Sequence, residues 1–129
     1  MSEKEARELW ARAKKALETA KLILSLDPDS SASRSYYAAF YAVSALFALQ
    51  DQAFSKHAGL QAAVNKELVK TGQWPKELGR AYSFLMDLRD RADYGGDVHA
   101  DQEEAQKALD LARRLLQAVR ETNLELFIM

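Results

Sequence analysis

Apolar residues recur three and four positions apart along most of the chain, with polar residues between them. This spacing is typical of amphipathic helices. The first stretch covers about residues 3–26 and should end there, because Pro28 disfavours a helical conformation at the residue before it. Four more helices are predicted: one beginning within the serine cluster at 29–33 and running to residue 49, one over 57–70, one from Trp74-Pro75 to before Gly95, and one capped by Asp101.

Short connections between these segments determine the expected architecture. Helices joined by short loops lie side by side in alternating directions. The sequence therefore predicts an all-α fold, a five-helix up-and-down antiparallel bundle that forms a single domain over residues 1–129.

Two parts of the chain are more apolar than a small bundle needs. Residues 36–49 are apolar nearly all the way round the second predicted helix, which is typical of a central helix or a subunit interface. Residues 124–129 are also apolar and are expected to be a flexible or a packing tail, as are residues 1–2. Together these surfaces predict a homodimer, the commonest closed assembly.

Composition narrows the range of functions. The 129 residues contain 18 Lys and Arg, 19 Asp and Glu, two His and no Cys. Without cysteine there is no thiol nucleophile and no cysteine zinc site, and neither histidine has a second histidine at ligand spacing. We therefore predict no metal and no cofactor. The net charge of −1 excludes a broad nucleic-acid footprint, so contact with RNA or a nucleotide needs a local patch.

The apolar stretches also bear on location. The longest, residues 36–49, is shorter than the roughly 20 residues of a membrane span, and the charged first residues do not resemble a secretory signal. The sequence predicts a cytoplasmic protein with no membrane contact.

The densest polar cluster lies at residues 87–94, at the end of the fourth predicted helix. Residues four apart on a helix are neighbours, so Asp87 can pair with Arg91 and Arg89 with Asp93. One interpretation is a solvated ladder of ion pairs. The other is a phosphate site, formed by arginine and a carboxylate beside a Gly-Gly turn that permits close approach.

Three stretches in order, 33–42 (SRSYYAAFYA), 55–60 (SKHAGL) and 88–95 (LRDRADYG), resemble the HEPN domain family, in its branch of small stand-alone prokaryotic proteins. The resemblance implies a helical bundle that dimerises, often encoded beside a minimal nucleotidyltransferase in a toxin–antitoxin-like pair. Many members of this family are metal-independent ribonucleases, whose Arg-x4–6-His motif forms the active site at the dimer cleft.

The family's arginine falls on Arg89 or Arg91, but no histidine follows either one after a gap of four to six residues. His99 lies one position beyond the window that starts at Arg91, and Asp93 and Tyr94 occupy the region of the expected histidine. The resemblance therefore implies an altered motif, retained for binding a nucleotide, RNA or a partner protein. The residues expected to bind are Arg89, Arg91, Asp93, Tyr94, Arg34, Tyr37 and His57.

Two alternatives remain open at this stage. In the first, the protein is an active ribonuclease toxin in which Arg91 and His99 are catalytic, or in which His57 takes the acid–base role. In the second, it is a purely structural helical partner, and the polar cluster is a solvated helix surface.

Overall fold

The computed structural model describes residues 2–129, so the predicted tail residue Met1 lies outside the described part. Five α-helices follow one another: α1 (Ser2–Ile23), α2 (Pro28–Ala48), α3 (His57–Ala63), α4 (Lys76–Tyr94) and α5 (Gln102–Thr122). No strand occurs within residues 2–129. The predicted all-α antiparallel bundle is confirmed, and none of the helices is both long enough and apolar enough to cross a bilayer.

The central element is α2, which packs against α1, α3, α4 and α5. Its alanines, among them Ala38, Ala39 and Ala42, are fully buried and let neighbouring helices approach closely. The nearly all-apolar sequence of this helix is therefore explained by its place in the middle of the bundle.

The start of α2 lies earlier than the serine cluster that was expected to cap it. Asp27 is the cap: its carboxylate accepts hydrogen bonds from the Ser30 N–H at 3.1 Å and the Ser30 hydroxyl at 2.6 Å. Pro28 then occupies the first turn, where its missing N–H costs nothing. Ser31 instead donates to the Ala20 carbonyl at 2.7 Å and ties α2 to α1.

The third predicted helix, 57–70, has two parts. After α3 the chain continues as a π-helical segment, Val64–Val69, which we call the π segment. It approaches α4 closely at Gly79, where a Cβ atom would lie 2.9 Å from Val69 Cγ2 and 3.1 Å from Asn65 Oδ1. Glycine at this position allows the wide turns to pack on α4.

The end of the chain packs against α1. Phe127 is fully buried with its ring 5.0 Å from that of Trp10, and the indole Nε1 of Trp10 donates to the Ile128 carbonyl at 2.9 Å. Leu126 is also buried, whereas Leu124, Ile128 and Met129 remain exposed. Part of the apolar tail is thus covered within one chain and supplies no surface for a second subunit.

Candidate functional site

Arg89 lies near the end of α4 and is buried, with 6% of its surface exposed. Arginine is rarely buried without partners. Here its Nη1 donates to Asp90 Oδ1 at 2.6 Å, and its Nη2 donates to the Tyr37 hydroxyl at 2.8 Å and to His57 Nε2 at 3.3 Å. The guanidinium therefore joins three elements, α2, α3 and α4, at one point.

Aromatic rings surround the same guanidinium. Its central carbon lies 5.3 Å from the ring centre of Tyr36, 5.4 Å from that of Tyr37 and 5.5 Å from that of Tyr94. These distances are within the range of cation–π attraction. Tyr94 is 74% exposed, so a stacking surface remains accessible beside the buried cation.

The contacts of His57 determine its protonation state. An arginine can only donate, so Nε2 of His57 must accept the bond from Arg89 and carries no proton. We therefore place the proton on Nδ1, which donates to the Tyr36 hydroxyl at 2.7 Å. Burial, and then the charge of Arg89, lower the pKa of His57 below its ordinary value. The ring is neutral at physiological pH.

The hydroxyls next to His57 are held in the neutral form as well. Burial raises the pKa of Tyr36, and burial raises the pKa of Tyr82 far above the ordinary value of a phenol. The Tyr82 hydroxyl adjoins that of Tyr36 but lies outside good hydrogen-bond geometry. Arg89 is thus the one charged group in the buried part of this network.

We predict that His57 titrates below the ordinary histidine pKa of 6.5 in the folded protein, as measured by NMR of its ring resonances. The unfolded chain then binds more protons than the folded one between the two pKa values, so the free energy of unfolding decreases as pH falls below about 6.5. In His57→Gln this part of the pH dependence should disappear. A native pKa at or above 6.5 would contradict the effect of burial and of the Arg89 charge on this ring.

Two ion pairs are predicted within residues 87–94, and the structure contains one of them. Asp93 Oδ2 lies 3.4 Å from Nε of Arg89, so this predicted pair is present, although the contact lacks the alignment of a hydrogen bond. Asp93 also accepts a hydrogen bond from Ser33 at 3.3 Å. The prediction that Asp87 pairs with Arg91 is wrong, because Arg91 pairs with Glu104 instead.

Arg91 and His99 contact different carboxylates. Arg91 pairs with Glu104 on α5, whose side chain also accepts from the Asp101 N–H in a capping box. His99 Nδ1 lies 2.6 Å from Asp29 Oδ2, and the other oxygen of Asp29 accepts from the Ala100 N–H at 2.6 Å. Both residues thus fasten the segment between α4 and α5.

Arg34 reaches the same region from the start of α2. Its guanidinium carbon lies 4.8 Å from the centre of the Tyr37 ring, which Arg89 also contacts. Most of the residues predicted to bind are therefore neighbours, and two residues outside that predicted set, Tyr36 and Asp90, complete the group. We call it the Arg89 cluster: Arg34, Tyr36, Tyr37, His57, Arg89, Asp90, Asp93 and Tyr94.

The fold and this cluster define a class: a small antiparallel helical bundle with a polar site built around a buried arginine at the end of α4. The chain belongs to the HEPN domain family, whose domain it matches over residues 6–122. In overall fold it is similar to the protein in the crystal structure of TT1696 from Thermus thermophilus. That comparison has a TM-score of 0.75 and 25% identity, and covers 90% of this chain and 96% of the other.

Three curated relatives extend over most of the chain. A UPF0332 protein of Thermotoga maritima is 42% identical over 122 residues, 92% of each chain. The UPF0332 protein glr0978 of Gloeobacter violaceus is 31% identical over 119 residues, 91% of this chain and 94% of that one. A protein of Methanocaldococcus jannaschii named "Putative toxin MJ0142" is 31% identical over 107 residues, 82% of this chain and 73% of that one.

Proposed function

We propose that this HEPN-domain protein is the HEPN component of a nucleotidyltransferase–HEPN, toxin–antitoxin-like pair, and that it binds the phosphate groups of RNA or a nucleotide at the Arg89 cluster. The observation that carries the proposal is the approach of two guanidinium groups, Arg34 and Arg89, to one ring, Tyr37, beside the exposed ring of Tyr94. The relative named as a toxin supports the toxin-like part.

The chemistry of the cluster suits a phosphate. Guanidinium groups donate charge-assisted hydrogen bonds to phosphate oxygens, and Arg89 is already held by its neighbours, so little side-chain freedom is lost on binding. The anion has to displace Asp90 from Nη1 of Arg89, and it binds beside Asp93, whose Oδ2 lies 3.4 Å from Nε. Arg34 has no carboxylate partner within residues 2–129 and supplies the uncompensated positive charge. Tyr94 offers a face on which a base stacks.

Binding is tested by fluorescence anisotropy with single-stranded RNA and, separately, with ATP. We expect Tyr94→Ala and Arg34→Ala each to weaken binding about tenfold, because a stacked base or a charge-assisted contact contributes about 1–3 kcal/mol. Arg113→Ala is the matched control, since Arg113 is exposed on α5 and, among residues 2–129, its ion-pair partner is Asp110. A site at this cluster would be contradicted if all three variants weakened binding equally, or if none of them weakened it.

A second candidate function, the metal-independent ribonuclease, is favoured by the contact between neutral His57 and Arg89. Once Nε2 of His57 exchanges the hydrogen bond from Arg89 for one from a ribose 2′-hydroxyl, it can take that proton as the oxygen attacks the phosphorus, and the released Arg89 donors can stabilise the charge on the phosphate. Release of the 5′-oxygen, with a proton from water, then leaves a cyclic phosphate. Arg91 supports this chemistry less well, since Glu104 engages it, whereas the contact of Asp29 with Nδ1 of His99 orients that ring without occupying Nε2.

The two candidates give different results in one assay of RNA cleavage and growth arrest. Cleavage lost in His57→Gln and kept in His99→Gln favours a ribonuclease that uses His57, and the reverse favours the pair Arg91 and His99. Binding without cleavage favours the binding component. Co-expression with a nucleotidyltransferase encoded beside this protein tests the pairing, which co-purification would support. Light scattering tests the proposed homodimer, and a measured mass of 14.5 kDa, that of one chain, would contradict it.

A further inference from the structure

A second polar site adjoins the Arg89 cluster. It is a pocket of ≈ 300 Å³ between α1 and α2, which we call the α1–α2 pocket. Three of its lining side chains are cationic, two carry hydroxyls and none is acidic. The lining residues are Arg12, Lys15, Ala16, Thr19, Arg34 and Tyr41.

The positive charges of the pocket have no carboxylate at ion-pair distance within the described chain. Arg12, Lys15 and Arg34 form no ion pair with a carboxylate among residues 2–129. Three cations that line one pocket repel each other, and a bound anion relieves that repulsion. In a protein whose net charge is −1, the pocket is therefore a locally positive surface.

Aromatic rings hold two of these cations and connect the pocket to the Arg89 cluster. The guanidinium carbon of Arg12 lies 5.8 Å from the ring centre of Tyr41, and that ring is 6.0 Å from Tyr37. Arg34 packs on Tyr37 and also lines the pocket. A chain of contacts therefore runs from Tyr94 through Arg89, Tyr37 and Tyr41 to Arg12.

From this continuity we infer that the α1–α2 pocket binds a further backbone phosphate of an RNA strand whose neighbouring nucleotide occupies the Arg89 cluster. Grooves for single-stranded nucleic acid combine cations that follow the backbone with rings on which bases stack, and this surface has both. The inference rests on the proposed function and extends it: the ligand is a single strand that spans two sites.

The test compares a single-stranded RNA of about eight nucleotides with ATP, by anisotropy over a series of salt concentrations. Arg12→Ala and Lys15→Ala should each weaken RNA binding about fivefold at about 0.1 M salt and lower the slope of log K against log salt by about 0.7. Neither should change the affinity for ATP. Both side chains are exposed, so the variants should keep the wild-type thermal unfolding.

Lys14→Ala is the matched control, because Lys14 is adjacent in sequence but lines a different surface with Leu17 and Glu18. Its removal should leave the salt slope of the wild type. The inference is overturned when Arg12→Ala and Lys15→Ala behave as Lys14→Ala does, when they weaken ATP equally, or when the wild type binds no RNA.

The pattern of effects also separates this inference from the proposed function. Weaker RNA binding in Arg12→Ala and Lys15→Ala, with no effect of Tyr94→Ala, contradicts a site at the Arg89 cluster and with it a strand that spans both sites, and leaves only an anion site at the α1–α2 pocket. If Tyr94→Ala weakens RNA binding and the two α1 variants do not, the Arg89 cluster is supported and binding at the α1–α2 pocket is overturned.

Discussion

Replacing Phe127 by alanine is expected to lower the free energy of unfolding by about 3–5 kcal/mol. The side chain is fully buried against Trp10, and its peptide N–H donates to the Asn123 carbonyl at 2.9 Å. Trp10 cannot readily fill the space, because its indole N–H is bonded to the Ile128 carbonyl. Such a loss is a large part of the roughly 5–15 kcal/mol that stabilises a typical domain.

The control for this prediction is Ile128→Ala, one residue further on. Ile128 is 58% exposed and contributes its backbone carbonyl, which alanine keeps. We expect a change within about 0.5 kcal/mol. Urea unfolding followed by circular dichroism measures both variants. A loss below about 1 kcal/mol for Phe127→Ala would show that the tail is not part of the core.

The helices were predictable because burial follows their 3.6-residue period. Their exact form depends on features that periodicity does not contain. Serine and aspartate are both good N-caps, so the sequence left the start of α2 uncertain by several residues, and Asp27 is the residue that caps it. The π segment depends on the space that Gly79 leaves on another helix.

The candidate site could be predicted only where its residues are close in sequence. The contact between Arg89 and Asp93 follows from helical spacing, and it is present. The same rule failed for Arg91, because Glu104, from another helix, takes the place of Asp87. The contacts of Arg89 with Tyr37 and His57 join residues distant along the chain, and packing of α2, α3 and α4 creates them.

The total charge of the chain did not predict the α1–α2 pocket, for a related physical reason. The near-balance of acidic and basic residues excludes a surface that is positive throughout. It does not determine how charges are grouped once helices pack. Arg12 and Lys15 come from α1 and Arg34 from α2, and only the pairing of these two helices places them around one pocket without a carboxylate.

Replacing Arg89 by methionine is expected to have the largest effect on the site, through both stability and titration. Methionine has similar length but no donor, so the Tyr37 hydroxyl and Nε2 of His57 lose their hydrogen bonds, and three rings lose their cation. Breaking a buried ion pair costs about 3–5 kcal/mol. Because Asp90 is half-exposed and regains water, we expect a loss of about 2–3 kcal/mol.

The same substitution should raise the pKa of His57 toward its ordinary value, because the charge of Arg89 is one of the two causes that lower it. Arg91→Met is the matched control: it removes a cation from the same helix, but one that is 38% exposed and paired with Glu104. It should cost less than about 1 kcal/mol and leave the titration of His57 unchanged. NMR titration and denaturant unfolding measure both effects. If the two variants shifted the pKa of His57 equally, burial and the overall charge of α4 would have to account for its low value. The direct contact with Arg89 would then not be a cause of the lowered pKa.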